Sequence, residues 1–260
     1  MRVAIFSDVH GNLTAMEAVL ADIEKQDVDF IYFAGDLCLF GAHPDATITL
    51  LREYQNIMPV YGNTDEWLWQ LPQVQADMNE KQQAHIQYLK DSVTWAKSRM
   101  SEDDLTWLQS LPFAHRLSPS TQTKDNLLIV HANPQDVNAP IFPTVQEQER
   151  RVGVVRNEQS DEAIRPLLKN TNVGIIAFGH VHFPNVRQVD EVTLANISAT
   201  SLPQDGDTRA RYGLLTWNRT HGWQIERHHV VYDIVVEQKA LAQTQPPNWE
   251  KLSRWLDGEI

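Results

Sequence analysis

The chain has 260 residues, 42% of them hydrophobic, enough for a sizeable globular core. Its formal net charge of −12 repels polyanions on average and argues against strong nucleic-acid binding. No apolar run is long enough to span a bilayer, and the opening MRVAIFSDVHG does not read as a signal peptide. A single cysteine, Cys38, excludes an intrachain disulfide, so a cytoplasmic protein is expected.

Residues 2–7 (RVAIFS) predict a short buried strand. A helix follows over 13–25, with Leu13, Met16, Val19, Leu20 and Ile23 at helical spacing and Asn12 as its N-cap. FIYFAGD predicts a second buried strand ending in Gly35-Asp36. Helical spacing resumes over 46–54, and a third strand at 57–61 runs into Gly62-Asn63. This alternation predicts parallel pairing with helices on the sheet faces. Residues 66 to about 111 read as helical, with Ser101-Glu102-Asp103-Asp104 as a capping box. Strands are predicted at 113–117 and 127–131, then loop and helix over 135–172. Further strands fall at 173–178, 185–189, 192–197, 210–217 and 223–232, the later ones as antiparallel hairpins. The eight tryptophans read as mostly core, with Trp249 and Trp255 docking a short terminal helix. The expected fold class is α/β in a four-layer α+β arrangement: two mixed β-sheets packed as a sandwich and flanked by helices. One domain is expected over 1–260, with a helical insertion at about 66–111 and a tail at about 240–260.

Five of these strands end in a polar cluster holding good metal ligands: Asp8-Val9-His10, Gly35-Asp36, Gly62-Asn63-Thr64-Asp65, Val130-His131-Ala132-Asn133 and Gly179-His180-Val181-His182. Ligands of open α/β sheets bind outside the carboxyl ends of strands, so strands sharing a sheet would bring these clusters together. Mixed Asp and His donors suit Zn, Mn or Fe rather than Ca or Mg. In an extended Asp8-x-His10 the two side chains lie on one side of the chain and can grip one ion. Asp36 has two oxygens and can serve two ions, while Asn63 adds a neutral oxygen. Gly35, Gly62 and Gly179 allow sharp turns and close approach. Each cluster alone has a mundane reading as a surface pair or a turn, and Asp65 alone reads more readily as surface than as a loop organiser. Five such clusters at the same end of five strands do not arise readily by chance.

The order D-x-H, GD, GN, H, GH-x-H resembles the calcineurin-like metallophosphoesterase family, from Val3 to about Tyr212. It is most similar to small bacterial and archaeal members, in which a later Asn and Ser precede a DGD-x-R-A stretch. Here those are Asn196, Ser198 and Asp205 to Ala210. The resemblance implies a two-metal phosphoester hydrolase acting on a small phosphorylated substrate through a hydroxide held between the ions. By that likeness Asp8, His10, Asp36 and His182 hold one divalent transition metal, and Asp36, Asn63, His131 and His180 the other (Mn, Fe, Zn or Ni). Asp36, Asn63 and His182 are the expected catalytic residues. Many relatives carry His after GN as a proton donor, and Thr64 replaces it here. Relatives without that His tend to prefer phosphodiesters, so a diesterase is expected, with a phosphomonoesterase or nucleotide phosphatase and a non-catalytic metal-binding scaffold as alternatives. His43, Thr64 and Arg209 are candidate substrate contacts. Arg211 reads as structural, and Arg150-Arg151 as a helix-surface pair.

Overall fold

The computed structural model describes residues 1–75, 77–152 and 157–259. Strand β1 (Arg2–Phe6) leads through helix α1 (Leu13–Ile23) to β2 (Phe30–Ala34), and α2 (Pro44–Glu53) leads on to β3 (Ile57–Val60). Asn12 caps α1 as expected, accepting the Ala15 N–H at 2.9 Å. Helix α2 starts two residues before its apolar spacing because Pro44, with its preset φ, occupies the first turn. Helices α3 (Asn63–Glu66), α4 (Glu80–Lys97) and α5 (Glu102–Gln109) fill the region read as a helical insertion. Ser101 and Asp104 form the predicted capping box of α5. There follow β4 (Ala114–Leu117), β5 (Leu127–Val130), α6 (Val145–Val152), α7 (Asp161–Leu168), β6 (Ile175–Phe178), β7 (Asn185–Val189) and β8 (Val192–Asn196). The chain ends with β9 (Ala210–Asn218), β10 (Gly222–Val230), α8 (Ile234–Thr244) and α9 (Trp249–Leu256).

Two mixed five-stranded sheets result, ordered β10-β9-β1-β2-β3 and β4-β5-β6-β8-β7. In the first, β1, β2 and β3 are mutually parallel, with β9 antiparallel to β1. In the second, β5, β6 and β8 are parallel, and β4 and β7 are antiparallel edges. The period-two alternation of each strand sets the layering. Val3 and Ile5 point between the sheets with Tyr32, Ala34 and Val60, against Leu127, Ile129, Ile175 and Ala177 of the other sheet. Ala4, Phe6 and Phe33 face outward beneath α1, α2, α4 and α5. Leu128, Val130, Ile176 and Phe178 face outward on the second sheet, beneath Ile164 of α7. The eight tryptophans depart from the expectation: each is partly buried, at the margin of a core rather than inside it. Among the described residues no helix is long and apolar enough to cross a membrane.

Because β1, β2 and β3 run in one direction, their carboxyl ends lie side by side, and so do those of β5 and β6. The layers meet at this rim. The Gly35 carbonyl accepts the Asp8 N–H at 2.9 Å. The His131 carbonyl accepts the Gly179 N–H at 2.9 Å, tying the strand ends together.

Candidate metal centre

All five strand-end clusters converge at this rim. Asp8, His10 and His182 bring ligand atoms within 4.8 Å of one another, and so do Asp36, His131 and His180. Nε2 of His182 lies 3.3 Å from a carboxylate oxygen of Asp8 and 3.0 Å from Nε2 of His10. In the other group Nε2 of His131 lies 2.8 Å from Oδ1 of Asn63 and 3.1 Å from Nδ1 of His180, and that Nδ1 lies 2.9 Å from the same Asn63 oxygen. Oδ2 of Asp36 sits between the groups, 3.4 Å from Nε2 of His131 and 3.7 Å from Nε2 of His10.

These contacts are unusual because several of the atoms are acceptors facing acceptors. A backbone carbonyl cannot donate, so each imidazole nitrogen facing one must carry the proton. His10 Nδ1 faces the Leu39 carbonyl at 3.2 Å, His131 Nδ1 that of Ala34 at 2.9 Å, and His182 Nδ1 that of Leu202 at 2.8 Å. In the neutral rings Nε2 is then a bare lone pair. Two bare lone pairs 3.0 Å apart repel unless a proton or a cation lies between them. Donors bound at about 2.1 Å and at right angles around one ion stand roughly 3.0 Å apart, which is the spacing seen here. The donor set therefore fits a pair of divalent cations, and the carbonyls fix the tautomers as outer partners of a metal centre do.

Electrostatics divide the four rings. Burial holds the imidazoles of His10 and His180 neutral, down to about 4, in the form that ligates a cation. For Asp36 burial would raise the carboxyl, but the neighbouring His131 overrides it and holds it well below the ordinary carboxylate range. The reciprocal attraction of Asp36 overcomes the burial of His131 and lifts that imidazole to about 9. Asp8, buried beside His182, is likewise lowered.

The backbone carries a second signature. Asp8, His10, Asp36, His180 and His182 all have φ between 51° and 67°, the left-handed region that non-glycine residues rarely enter. The expectation of an extended Asp8-x-His10 is thus corrected: both residues are left-handed, and a turn rather than strand pleating brings them together. Each such residue costs of order 1 kcal/mol or more, and such strain concentrates at functional sites. Close approach matters too. A side chain on Gly179 would strike the Asp8 carboxylate and the Ser7 hydroxyl, and one on Gly62 would strike the Asp36 carboxylate.

Asp65 reverses the surface reading. It is fully buried, and its carboxylate accepts the N–H groups of Asp36 at 2.8 Å, Leu37 at 2.9 Å and Gly62 at 2.8 Å. It fastens the Asp36 loop to the Asn63 loop. Burial and the Asp36 charge push its carboxyl up to about 7 against these bonds. Asn133 is also buried, but it organises its own loop by accepting the N–H groups of Gln135 and Asp136.

The proposed substrate contacts divide. Thr64 is buried and lines the cavity over the metal centre. Its N–H donates to Asp36 at 2.9 Å, and its hydroxyl has no partner. His43 caps α2 away from that lining, and Arg209 is turned onto Asp207 at 2.6 Å. Arg211 is buried and pairs with Asp205 at 2.6 Å and Ser198 at 3.1 Å, a structural role. Arg150 pairs with Glu147 along its helix, and the Arg151 side chain lies outside the described residues.

Inspection of the sequence missed Lys81, His85 and Tyr88, which line the same cavity from α4, and Lys251 and Trp255, which line it from α9. Their spacings, i, i+4, i+7 and i, i+4, place each set on one helix face, and that periodicity is the signal that could have grouped them. The cavity measures about 520 Å³. A second one of about 260 Å³, with no lysine or acid among its described lining residues, adjoins it, lined by Pro140, Phe142 and Phe183 and sharing His180, Val181 and Gln204. A larger cleft of about 1030 Å³ lies at the opposite, amino-terminal ends of β5 and β6. It brings together no metal-ligating cluster among the described residues.

A two-sheet sandwich with a buried carboxylate–imidazole centre at its strand ends defines a metal-dependent phosphoester hydrolase. The chain belongs to the calcineurin-like phosphoesterase superfamily, whose domain model matches residues 1–220. It is similar to the uncharacterized protein MJ0912 of Methanocaldococcus jannaschii, with 25% identity over 264 residues covering 95% of this chain and 94% of that one. In fold it resembles a metallophosphoesterase from Sphaerobacter thermophilus at 22% identity, with a TM-score of 0.71 over 100% of this chain and 99% of the other. It also resembles the hypothetical protein PH1004 from Pyrococcus horikoshii OT3 at 13% identity, with a TM-score of 0.73 over 98% and 97%.

Proposed function

We propose that the chain is a two-metal phosphodiesterase in which Asp8, His10, Asp36 and His182 hold one divalent transition metal and Asp36, Asn63, His131 and His180 the other. The observation that carries the reading is the convergence of imidazole nitrogens and the Asn63 amide oxygen to 2.8–3.1 Å of one another, each histidine but His180 oriented by a carbonyl. Mixed nitrogen and oxygen donors favour Mn, Fe, Zn or Ni. When bound, such ions withdraw charge from phosphoryl oxygens and make water acidic enough to act near neutral pH.

The protein's own groups do the rest. The Asp36 loop is held by Asp65 and by the Thr64 N–H, so the carboxylate placed between the two groups is preorganised. The Thr64 hydroxyl can donate a hydrogen bond to a phosphoryl oxygen but cannot deliver a proton to a leaving group at neutral pH. That supports a diester whose leaving alcohol needs little protonic help. The two adjoining cavities also support a diester, which has two organic arms where a monoester has one.

The test is metal analysis with turnover of bis-p-nitrophenyl phosphate against p-nitrophenyl phosphate, in Mn, Ni and Mg. About two metals per chain and faster diester turnover are expected. Faster monoester turnover would make the protein a phosphomonoesterase, and two metals with no turnover of any ester would make it a binding scaffold. His180→Ala and His182→Ala should each weaken a different one of two resolvable metal-binding steps, and identical isotherms would refute the assignment.

A further inference from the structure

The cavity over the metal centre has a wall whose charge does not match the rest of the protein. The chain carries 34 acidic against 22 basic residues. Yet apart from Asp36 no acid lines this cavity among the described residues, while Lys81 and Lys251 both do, together with His85. Neither lysine forms an ion pair with a described acid at 4.0 Å or less, whereas elsewhere Lys25 reaches Asp22, and Arg52 reaches Asp103 and Asp104. The two cations come from separate helices. Lys81 opens α4, and Lys251 sits on α9, beyond the residues matched by the family domain. Neither helix contributes a strand-end ligand.

The same two helices furnish an apolar bed between the cations. Tyr88 of α4 stacks on Phe40, with centroids 5.7 Å apart and planes 9° apart, and Trp255 of α9 is anchored by its indole N–H on the Pro203 carbonyl at 3.2 Å. The cavity on the other side of His180 is walled largely by proline and phenylalanine and has no lysine or arginine among its described lining residues. The two arms of the cleft therefore differ in chemistry: one is apolar, the other cationic with aromatic flanks.

Resting on the diesterase reading, we propose that the substrate is an asymmetric phosphodiester whose one ester arm carries a second anionic group, bound by Lys81 and Lys251. The other arm, uncharged, lies toward Phe142 and Phe183. Hydrolysis adds water across the bond between phosphorus and one ester oxygen, leaving a monoester and an alcohol. The second anion takes no part in bond breaking; it sets which diesters dwell in the cleft. Two exposed lysine–anion contacts are each modest and screened by salt, so together they should be worth about tenfold in kcat/KM.

The experiment compares two probes on the metal-loaded full chain: the p-nitrophenyl ester of thymidine 5′-phosphate, with and without a 3′-phosphate. The 3′-phosphorylated probe should be preferred about tenfold in kcat/KM, and the preference should shrink with added salt. In Lys81→Met and Lys251→Met the ratio of the two values should fall, and in the doubly reversed Lys81→Glu, Lys251→Glu chain it should drop below one. Because the readout is a ratio within each variant, a general loss of activity does not imitate the effect. Equal hydrolysis of both probes by the unsubstituted chain, or a ratio unmoved by either lysine change, overturns this inference alone. Failure to hydrolyse either probe while monoesters turn over overturns the diesterase reading and this inference with it.

Discussion

Replacing Asp65 with Asn changes one atom in a fully buried side chain. Two N–H groups, those of Asp36 and Gly62, converge on Oδ2, and that of Leu37 points at Oδ1. An asparagine can keep its one oxygen toward the first pair. Its NH2 then faces the Leu37 N–H, donor against donor, in a site with no access to water. One bond to a charged acceptor is lost, typically 1.5–3 kcal/mol, and a buried N–H is left unpaired, while relief of the burial that lifts the Asp65 carboxyl to about 7 offsets part of this, so Asp65→Asn should cost about 1–2 kcal/mol of stability at neutral pH. Asp65→Ala orphans all three donors and should cost more, roughly 4–6 kcal/mol. Urea unfolding monitored by tryptophan fluorescence measures both. A loss below ~0.5 kcal/mol in Asp65→Asn would refute the claim that this carboxylate pins the two loops.

Asp36→Asn should lower diester turnover by a hundredfold or more, on the order expected when a shared ligand charge is removed, as read from kcat at saturating metal; near-normal turnover would contradict its shared position. Thr64→His should raise monoester over diester kcat/KM by about tenfold or more, since an imidazole can supply the proton a threonine cannot; an unchanged ratio would remove the argument from Thr64. Glu237, buried against α1 with Thr14 donating to it at 3.0 Å, has its carboxyl raised by burial to about 7 from an ordinary 4.5. The folded state therefore keeps a proton that the unfolded chain releases, so this group's contribution is full below pH 4.5 and is lost as pH rises through about 7. Glu237→Gln should stabilise the protein at pH 8 by roughly 3 kcal/mol and leave pH 4.5 nearly unchanged, and parallel stability–pH curves would refute it.

Much of this was readable from residue order because strand signals are local. The run IAFGHVHFP carries the end of β6 and the two imidazoles that follow it, and 185–189 matches β7 residue for residue. The five polar clusters sit where apolar alternation stops, so their shared end of the sheets follows once the strands are parallel. What escaped was set by tertiary packing. Asp65 is an acid in a turn until the Asp36 loop folds over it. Asp8-x-His10 looks extended because nothing in the residue types announces a left-handed backbone. Lys81 and Lys251 are ordinary helix-surface lysines, 170 positions apart, until α4 and α9 close on one cavity. The tryptophans depart from the core for a related reason: Trp95, Trp107, Trp249 and Trp255 lie half covered on outer helices, and Trp217 and Trp223 on the β9–β10 hairpin.

The left-handed backbone at Asp8, His10, Asp36, His180 and His182 has a consequence for the molecule as a whole. Selection for durability alone would put glycine at these places, where the torsion is free. A chain with His182→Gly would shed its conformational burden together with its imidazole, and could outlast its parent on heating while doing nothing. Ruggedness and purpose are opposed at five points of this chain, and the residues present record which of the two prevailed.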